Sequence, residues 1–187
     1  MVSCEESTAP VQVVLETELG AITVEVYPAQ APKSAGDFLR YVDKGLFDEG
    51  GFYRVVRPDN DNGDPLISVI QGGLLEGQEG LAPIPLEPTS LTGLRHRDGT
   101  ISLGREEPDT GSAAGFFIVI GDQPSLDEGG MRNTDGLGFA AFGQVIGGME
   151  IVRAINAMQG DAPTDDPYVK GQILADPVTF TAKRVSP

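Results

Sequence analysis

Tryptophan is absent from this chain of 187 residues, cysteine and histidine occur once each, and 13 basic residues face 28 acidic ones. Each shortage removes a class of chemistry. With Cys4 alone, neither an intrachain disulfide nor a cysteine zinc cluster can form. With His96 alone, no metal site built on two imidazoles is possible. The net charge of −15 argues against nucleic acid, whose phosphates require cationic side chains to replace counterions, and against an anionic membrane surface. Its direct meaning is a soluble, self-repelling exterior. Long apolar runs are missing too: no window approaches the roughly 18 apolar residues of a membrane span. The stretch Val11–Leu15 is too short for a signal peptide and lacks a basic start.

What is present is a 40% hydrophobic set, enough for a core in one domain of ordinary size. Residues 1–10 are polar and read as a flexible tail, and residues 11–187 as a single domain. The start Met1-Val-Ser-Cys4, followed by Glu5 and Glu6, fits either an ordinary cytoplasmic tail or an exported lipoprotein trimmed close to its lipidation cysteine. The expected compartment is therefore the cytoplasm or the cell envelope.

Period-two alternation marks strands. Ile22, Val24 and Val26 alternate with Thr23 and Glu25, and Glu18-Leu-Gly20 joins this run to the preceding one, Val11–Thr17, as a hairpin. A helix follows, with Ser34 as N-cap, Asp37 as capping partner, and Ala35, Phe38, Leu39 and Val42 on one face. Residues 46–56, 67–73, 113–120, 139–145 and 178–185 read as further strands, and Met149–Met158 as a second helix with Gly148 at its cap. Many short strands with two helices suggest a β-barrel or sandwich with helices at its ends.

Three familiar patterns fail on inspection. Asp59-Asn-Asp-Asn-Gly-Asp64 has Asp where a calcium loop needs its sixth-position Gly, and Ile70 where it needs a Glu. Gly136-Leu-Gly138-Phe-Ala-Ala141 leads into a strand, not a helix, so it lacks the geometry of a phosphate-binding turn. His96, between Arg95 and Arg97, reads as a solvent-exposed residue and not as a triad member.

Three segments stand out: Gly51-Phe-Tyr-Arg54, Ile70-Gln-Gly-Gly73 and Gly115-Phe-Phe-Ile118. Strand alternation puts Arg54 on the face of Phe52, Val69 on that of Gln71, and Phe116 and Phe117 on opposite faces. Taken with Val13–Gly20, Ala31–Phe38 and Phe139–Val145, these segments resemble the cyclophilin family of peptidyl-prolyl cis–trans isomerases over about residues 11–186. The resemblance implies a mainly β fold, an eight-stranded antiparallel closed β-barrel capped by two α-helices. It implies an isomerase without metal or other cofactor, acting on X–Pro bonds of proline-containing peptides and unfolded protein clients. Arg54 matches the family's catalytic arginine and Gln71 the glutamine that holds substrate backbone. Phe117 and Phe52 match aromatics of the proline pocket, with Val69, Leu126 and Phe139 as further walls. Gly104 and Arg105 match the stretch that presents backbone groups to an extended peptide.

The chain departs from the best-known family pattern at Tyr53, Ser68, Val69, Gly115, Ser125 and Phe139. Ser125 stands where a tryptophan is usual. A wider, less polar rim, reduced turnover and weak cyclosporin binding are the implications. A non-catalytic module that holds proline segments is the alternative. With no heptad seam in view, a monomer is expected. The loops 57–65 and 122–138 exceed a minimal member's needs, and carry either partner specificity or tolerated insertions.

Overall fold

In the computed structural model, which describes residues 9–186, the chain begins with two strands, β1 (Val11–Thr17) and β2 (Gly20–Val26). A helix follows, α1 (Pro32–Asp43), and then β3 (Gly50–Val56), β4 (Val69–Gly73), the two-residue β5 (Ile84–Pro85) and the one-turn α2 (Thr89–Thr92). The second half holds β6 (Thr100–Gly104), β7 (Thr110–Val119), β8 (Ala140–Gly147), α3 (Met149–Asn156), the short β9 (Gly160–Asp161) and β10 (Gln172–Arg184). Cys4, on which the lipoprotein expectation turns, lies outside the described residues.

Eight of the strands form a closed antiparallel barrel in the order β1-β2-β8-β6-β7-β4-β3-β10, and β10 pairs back onto β1 from Val13–Arg184 to Thr17–Phe180. Closure satisfies both edges of the sheet, which would otherwise expose unpaired backbone groups. Strand β9 adds a short parallel pairing to β10, and β5 pairs with the start of β7. The expected eight-stranded barrel is therefore present, with a third, one-turn helix beside the two expected ones. Among the described residues, no helix is long and apolar enough to cross a membrane.

The interior is aromatic at its centre. Phe38 of α1 lies 5.5 Å from Phe116 and 5.1 Å from Phe142, while Phe52 packs against Phe116 at 5.9 Å and Phe180 at 5.0 Å. The edge-to-face and tilted rings place positive edges against negative faces. Helix α3 adds Val152 and Ile155 to the same cluster.

The first helix begins earlier than its sequence signal suggests. Pro32 occupies the first turn and Ala31 the cap, with no side-chain capping bond, as suits a residue with no N–H to satisfy. Ser34 is instead bonded through N and Oγ, each at 2.6 Å, to the buried carboxylate of Glu87. Asp37 accepts from the backbone N of Ala113 at 2.9 Å and from Arg40. Both presumed capping residues are engaged by distant parts of the chain.

Phe116 and Phe117 test the two-sided wall. Phe116 is fully buried in the interior cluster, whereas Phe117 belongs to a second, smaller cluster. Phe116→Ala is expected to lower the unfolding free energy by about 3–5 kcal/mol, read from guanidinium chloride unfolding. An effect below about 1 kcal/mol would contradict this packing.

Candidate active site

The second cluster, outside the barrel, is built from β3, β4 and β7 and the chain that follows β7. Val56, Ile67, Val69, Phe117, Val119 and Leu126 are its buried members, with Phe139 packed against them. Of these, Ile67, Val69, Phe117, Leu126 and Phe139 border, together with neighbouring polar groups, a cavity of about 360 Å³. Arg54, Gln71, Val69 and Phe117 line it from the strands, and Gly104, Arg105, Leu126 and Phe139 also border it.

Phe52 is the exception and corrects the expectation from alternation. It has no exposed surface and packs inside the barrel. The cause is a β-bulge: Phe52 pairs with Gly72 and Arg54 with Gln71, so Tyr53 is an extra residue in β3. An extra residue reverses which side of the sheet the following side chains face. Phe52 thus points inward, and Arg54, two residues on, points to the cavity.

Arg54 is held in the plane of its guanidinium. Its Nε donates to Gln172 Oε1 at 2.8 Å and its Nη1 to Gln71 Oε1 at 3.1 Å. The fully buried Gln172 has its own amide oriented by donation from Nε2 to the Asn60 carbonyl at 2.9 Å. Among the described residues Arg54 has no carboxylate partner, so its charge is not cancelled locally. Beside it, burial pushes the Tyr53 phenol above its ordinary pKa, with Arg54 pulling it down and Glu106 pushing it up. The phenol therefore stays protonated at neutral pH.

The pocket floor has an unexpected support. His96 is 1% exposed, contrary to the solvent-exposed placement its two arginine neighbours suggest. Its Nδ1 lies 2.7 Å from Asp127 Oδ1 and its Nε2 lies 2.9 Å from Ser102 Oγ. A carboxylate only accepts, so Nδ1 carries a proton. The order Ser–His–Asp resembles a hydrolase triad, but Ser102 has no exposed surface, and no substrate reaches its hydroxyl. The imidazole instead stacks on Phe117, with ring centres 5.9 Å apart and 13° between planes, while Phe139 meets Phe117 edge-on at 5.2 Å. The network fixes the ring at the bottom of the pocket.

The far wall comes from residues that sequence patterns did not single out. Arg132, from the Gly- and Asp-rich loop 122–138, forms a bidentate pair with Asp61 at 2.7 and 2.9 Å. The two side chains are 3% and 0% exposed. Gly63 makes room for this pair, since a Cβ there would meet the Arg132 Cζ at 2.4 Å. Tyr168 stands beside Arg132 on the cavity rim. Asp61 is part of the acidic run that mimics a calcium loop, and its carboxylate is occupied by Arg132 and by the N–H groups of Gly63 and Ile67. No spacing rule links Asp61 to Arg132. Gln172 could have been suspected only had β10 been traced upstream of Val178.

Two carboxyl groups tie this site to pH. Burial alone would raise Asp61, but the bonds from Arg132, Gly63 and Ile67 outweigh it and hold the carboxyl below its ordinary range. Burial likewise opposes Asp127, and the bonds from the His96 ring and backbone, with Arg95 nearby, win. A lowered folded-state pKa gives stability that is present above the unfolded value of about 4 and is lost as pH falls through the folded one. The melting temperature should therefore drop steeply below about pH 4. Asp61→Asn strands a buried cation, so it should cost about 3–5 kcal/mol at pH 7 and flatten that acid limb. An unchanged acid limb in this variant would contradict the assignment.

Residues 12–175 match the family model described as cyclophilin type peptidyl-prolyl cis-trans isomerase. A peptidyl-prolyl cis-trans isomerase of Arabidopsis thaliana is 31% identical over 174 residues, covering 92% of this chain and 96% of the relative. One from Acinetobacter baylyi is 32% identical, over 95% of this chain and 86% of its own. A solved cyclophilin-type isomerase of Cryptosporidium parvum superposes with a TM-score of 0.69 at 20% identity, covering 96% of this chain and 99% of that one. Barrel, sequence and relatives agree: the chain belongs to the cyclophilin family of peptidyl-prolyl cis–trans isomerases.

Proposed function

We propose that this isomerase turns X–Pro bonds with Arg54 as the donor to the prolyl nitrogen, in a pocket whose floor is Phe117. Rotation about the bond breaks C–N resonance, with a barrier of about 18–20 kcal/mol. In the twisted transition state the lone pair localises on nitrogen, and a donor aimed there binds that state better than the planar ones. No proton needs to be moved, which agrees with a site whose phenol, Tyr53, stays protonated.

One observation carries the reading. Nε and Nη1 of Arg54 are bonded to glutamines, while among the described residues Nη2 has no partner, and the residue borders the cavity with its charge uncancelled. The proline ring would lie against Phe117, Val69, Leu126 and Phe139, apolar and close enough to exclude water. A second hollow of about 320 Å³ adjoins the first and shares Gln71, Gly104, Arg105 and Glu106 with it. An extended peptide would cross both, with Gln71 and the backbone at Gly104 and Arg105 along its path. A Cβ at Gly104 would meet the Gly115 carbonyl oxygen at 2.1 Å, so the close approach of β6 and β7 there requires glycine.

The clients under this reading are exposed X–Pro bonds in unfolded or flexible chains, and the working form is a monomer. Ser125 leaves the rim without the indole of cyclosporin-sensitive members, so titration calorimetry with cyclosporin is expected to show weak binding. A module that holds proline segments without turning them is the competing reading, and the arginine variant separates the two. In NMR exchange on an Ala-Pro peptide, wild type should accelerate interconversion, and Arg54→Ala should lose about 100-fold or more, as for removal of one preorganised donor. Peptide binding with uncatalysed exchange in both proteins would favour the holding module.

A further inference from the structure

Arg54 is restrained from a direction that the barrel strands do not supply. The segment between β9 and β10, residues 162–171, brings Tyr168 over it, with the ring centre 5.3 Å from Arg54 Cζ. The same ring lies 5.6 Å from Arg132 Cζ, and its hydroxyl accepts from Arg132 Nη2 at 2.9 Å. Tyr168 is 47% exposed, yet its backbone is tethered. Asn62 Nδ2 donates to the carbonyls of Tyr168 and Lys170 at 3.1 and 2.9 Å, and Tyr168 N donates to Asp166 at 2.9 Å. Arg132 in turn is fixed by its buried pairing with Asp61.

The chemistry of this arrangement suits a donor that must stay available. A carboxylate beside Arg54 would occupy its N–H groups and cancel the field that the twisted bond requires. An aromatic face attracts the cation through its quadrupole and takes up no N–H. The glutamine bonds act within the guanidinium plane, and the ring adds an attraction that takes up no hydrogen-bond donor, with Arg54 Cζ lying over it. The second cation sharing the ring, Arg132, is neutralised by Asp61, so it does not repel Arg54 strongly. We propose that Tyr168 is a positioning residue for Arg54, holding the guanidinium in place with its charge intact. Through Arg132 and Asp61, it also makes the two long loops part of the catalytic apparatus. This rests on the reading of Arg54 as the donor to the prolyl nitrogen.

The test uses the full chain with Tyr168→Ala, Tyr168→Leu and Tyr168→Phe. Two quantities are read: NMR exchange of an Ala-Pro peptide at saturation beside its Kd, and solvent hydrogen exchange of the Arg54 Nε–H, its signal assigned by loss in Arg54→Lys. Tyr168→Ala should lower saturated turnover about tenfold with Kd changed less than about twofold, and speed Nε–H exchange at least about fivefold. Tyr168→Phe, which keeps the ring, should stay within about twofold of wild type on every measure. Tyr168→Leu, which keeps bulk without the quadrupole, should follow Tyr168→Ala. Wild-type behaviour of the leucine variant would overturn the cation–ring account. A raised Kd with unchanged turnover would make the ring a peptide wall and overturn the positioning role, as would unchanged Nε–H exchange in the alanine variant. If wild type itself fails to accelerate peptide exchange, the isomerase mechanism fails, and the Nε–H measurement still decides whether Tyr168 holds Arg54.

Discussion

Between Phe52 and Arg54 the third strand carries one residue more than its partner, and the site depends on that surplus. Regular alternation would put both side chains on one side of the wall. An arginine would then enter an interior packed with Phe38, Phe116 and Phe180, where an unpaired charge is costly. The bulge at Tyr53 separates them. Phe52 completes the aromatic interior, and Arg54 emerges opposite Gln71 on the outer face. The paired phenylalanines of β7 make the complementary division without a bulge, Phe116 inward and Phe117 outward. One stretch of barrel wall thereby carries the core on one side and the pocket on the other.

Outside the barrel, the two long loops are tied to each other by a buried ion pair, beside the apolar packing of Leu126. Arg132 and Asp61 meet in bidentate geometry with almost no exposure, and the remaining polar atoms are largely used: Pro65 carbonyl, Tyr168 hydroxyl and two backbone N–H groups complete the set. Full satisfaction of this kind is what makes a buried pair tolerable, because desolvation otherwise exceeds the Coulombic gain. Its consequence is directional. The pair fixes where the far rim of the cavity stands, and with it the aromatic ring that faces Arg54.

The buried Ser102–His96–Asp127 chain follows the same logic beneath the pocket. Three polar groups are satisfied by one another inside a largely apolar region, and the imidazole presents its flat face to Phe117. The arrangement has the connectivity of a catalytic triad and the accessibility of a core, and accessibility decides that its role is support.

Much of this was legible along the chain. Alternating strands, two amphipathic helices and the segments around Arg54, Gln71 and Phe117 carry their information locally, because period and residue type act over a few neighbours. The sequence by itself determined the barrel, the family and the apolar floor of the cavity with its arginine and glutamine. Tertiary structure alone decided that Phe52 lies in the core, that His96 is buried, that Ser34 and Asp37 serve distant partners, that Gln172 and Tyr168 flank Arg54, and that Arg132 and Asp61 pair beside Tyr168. A bulge shifts register by one residue with no mark in composition. Asp61, Arg132 and Tyr168 lie tens of residues apart on loops without periodicity, so only the closure of the fold brings them together.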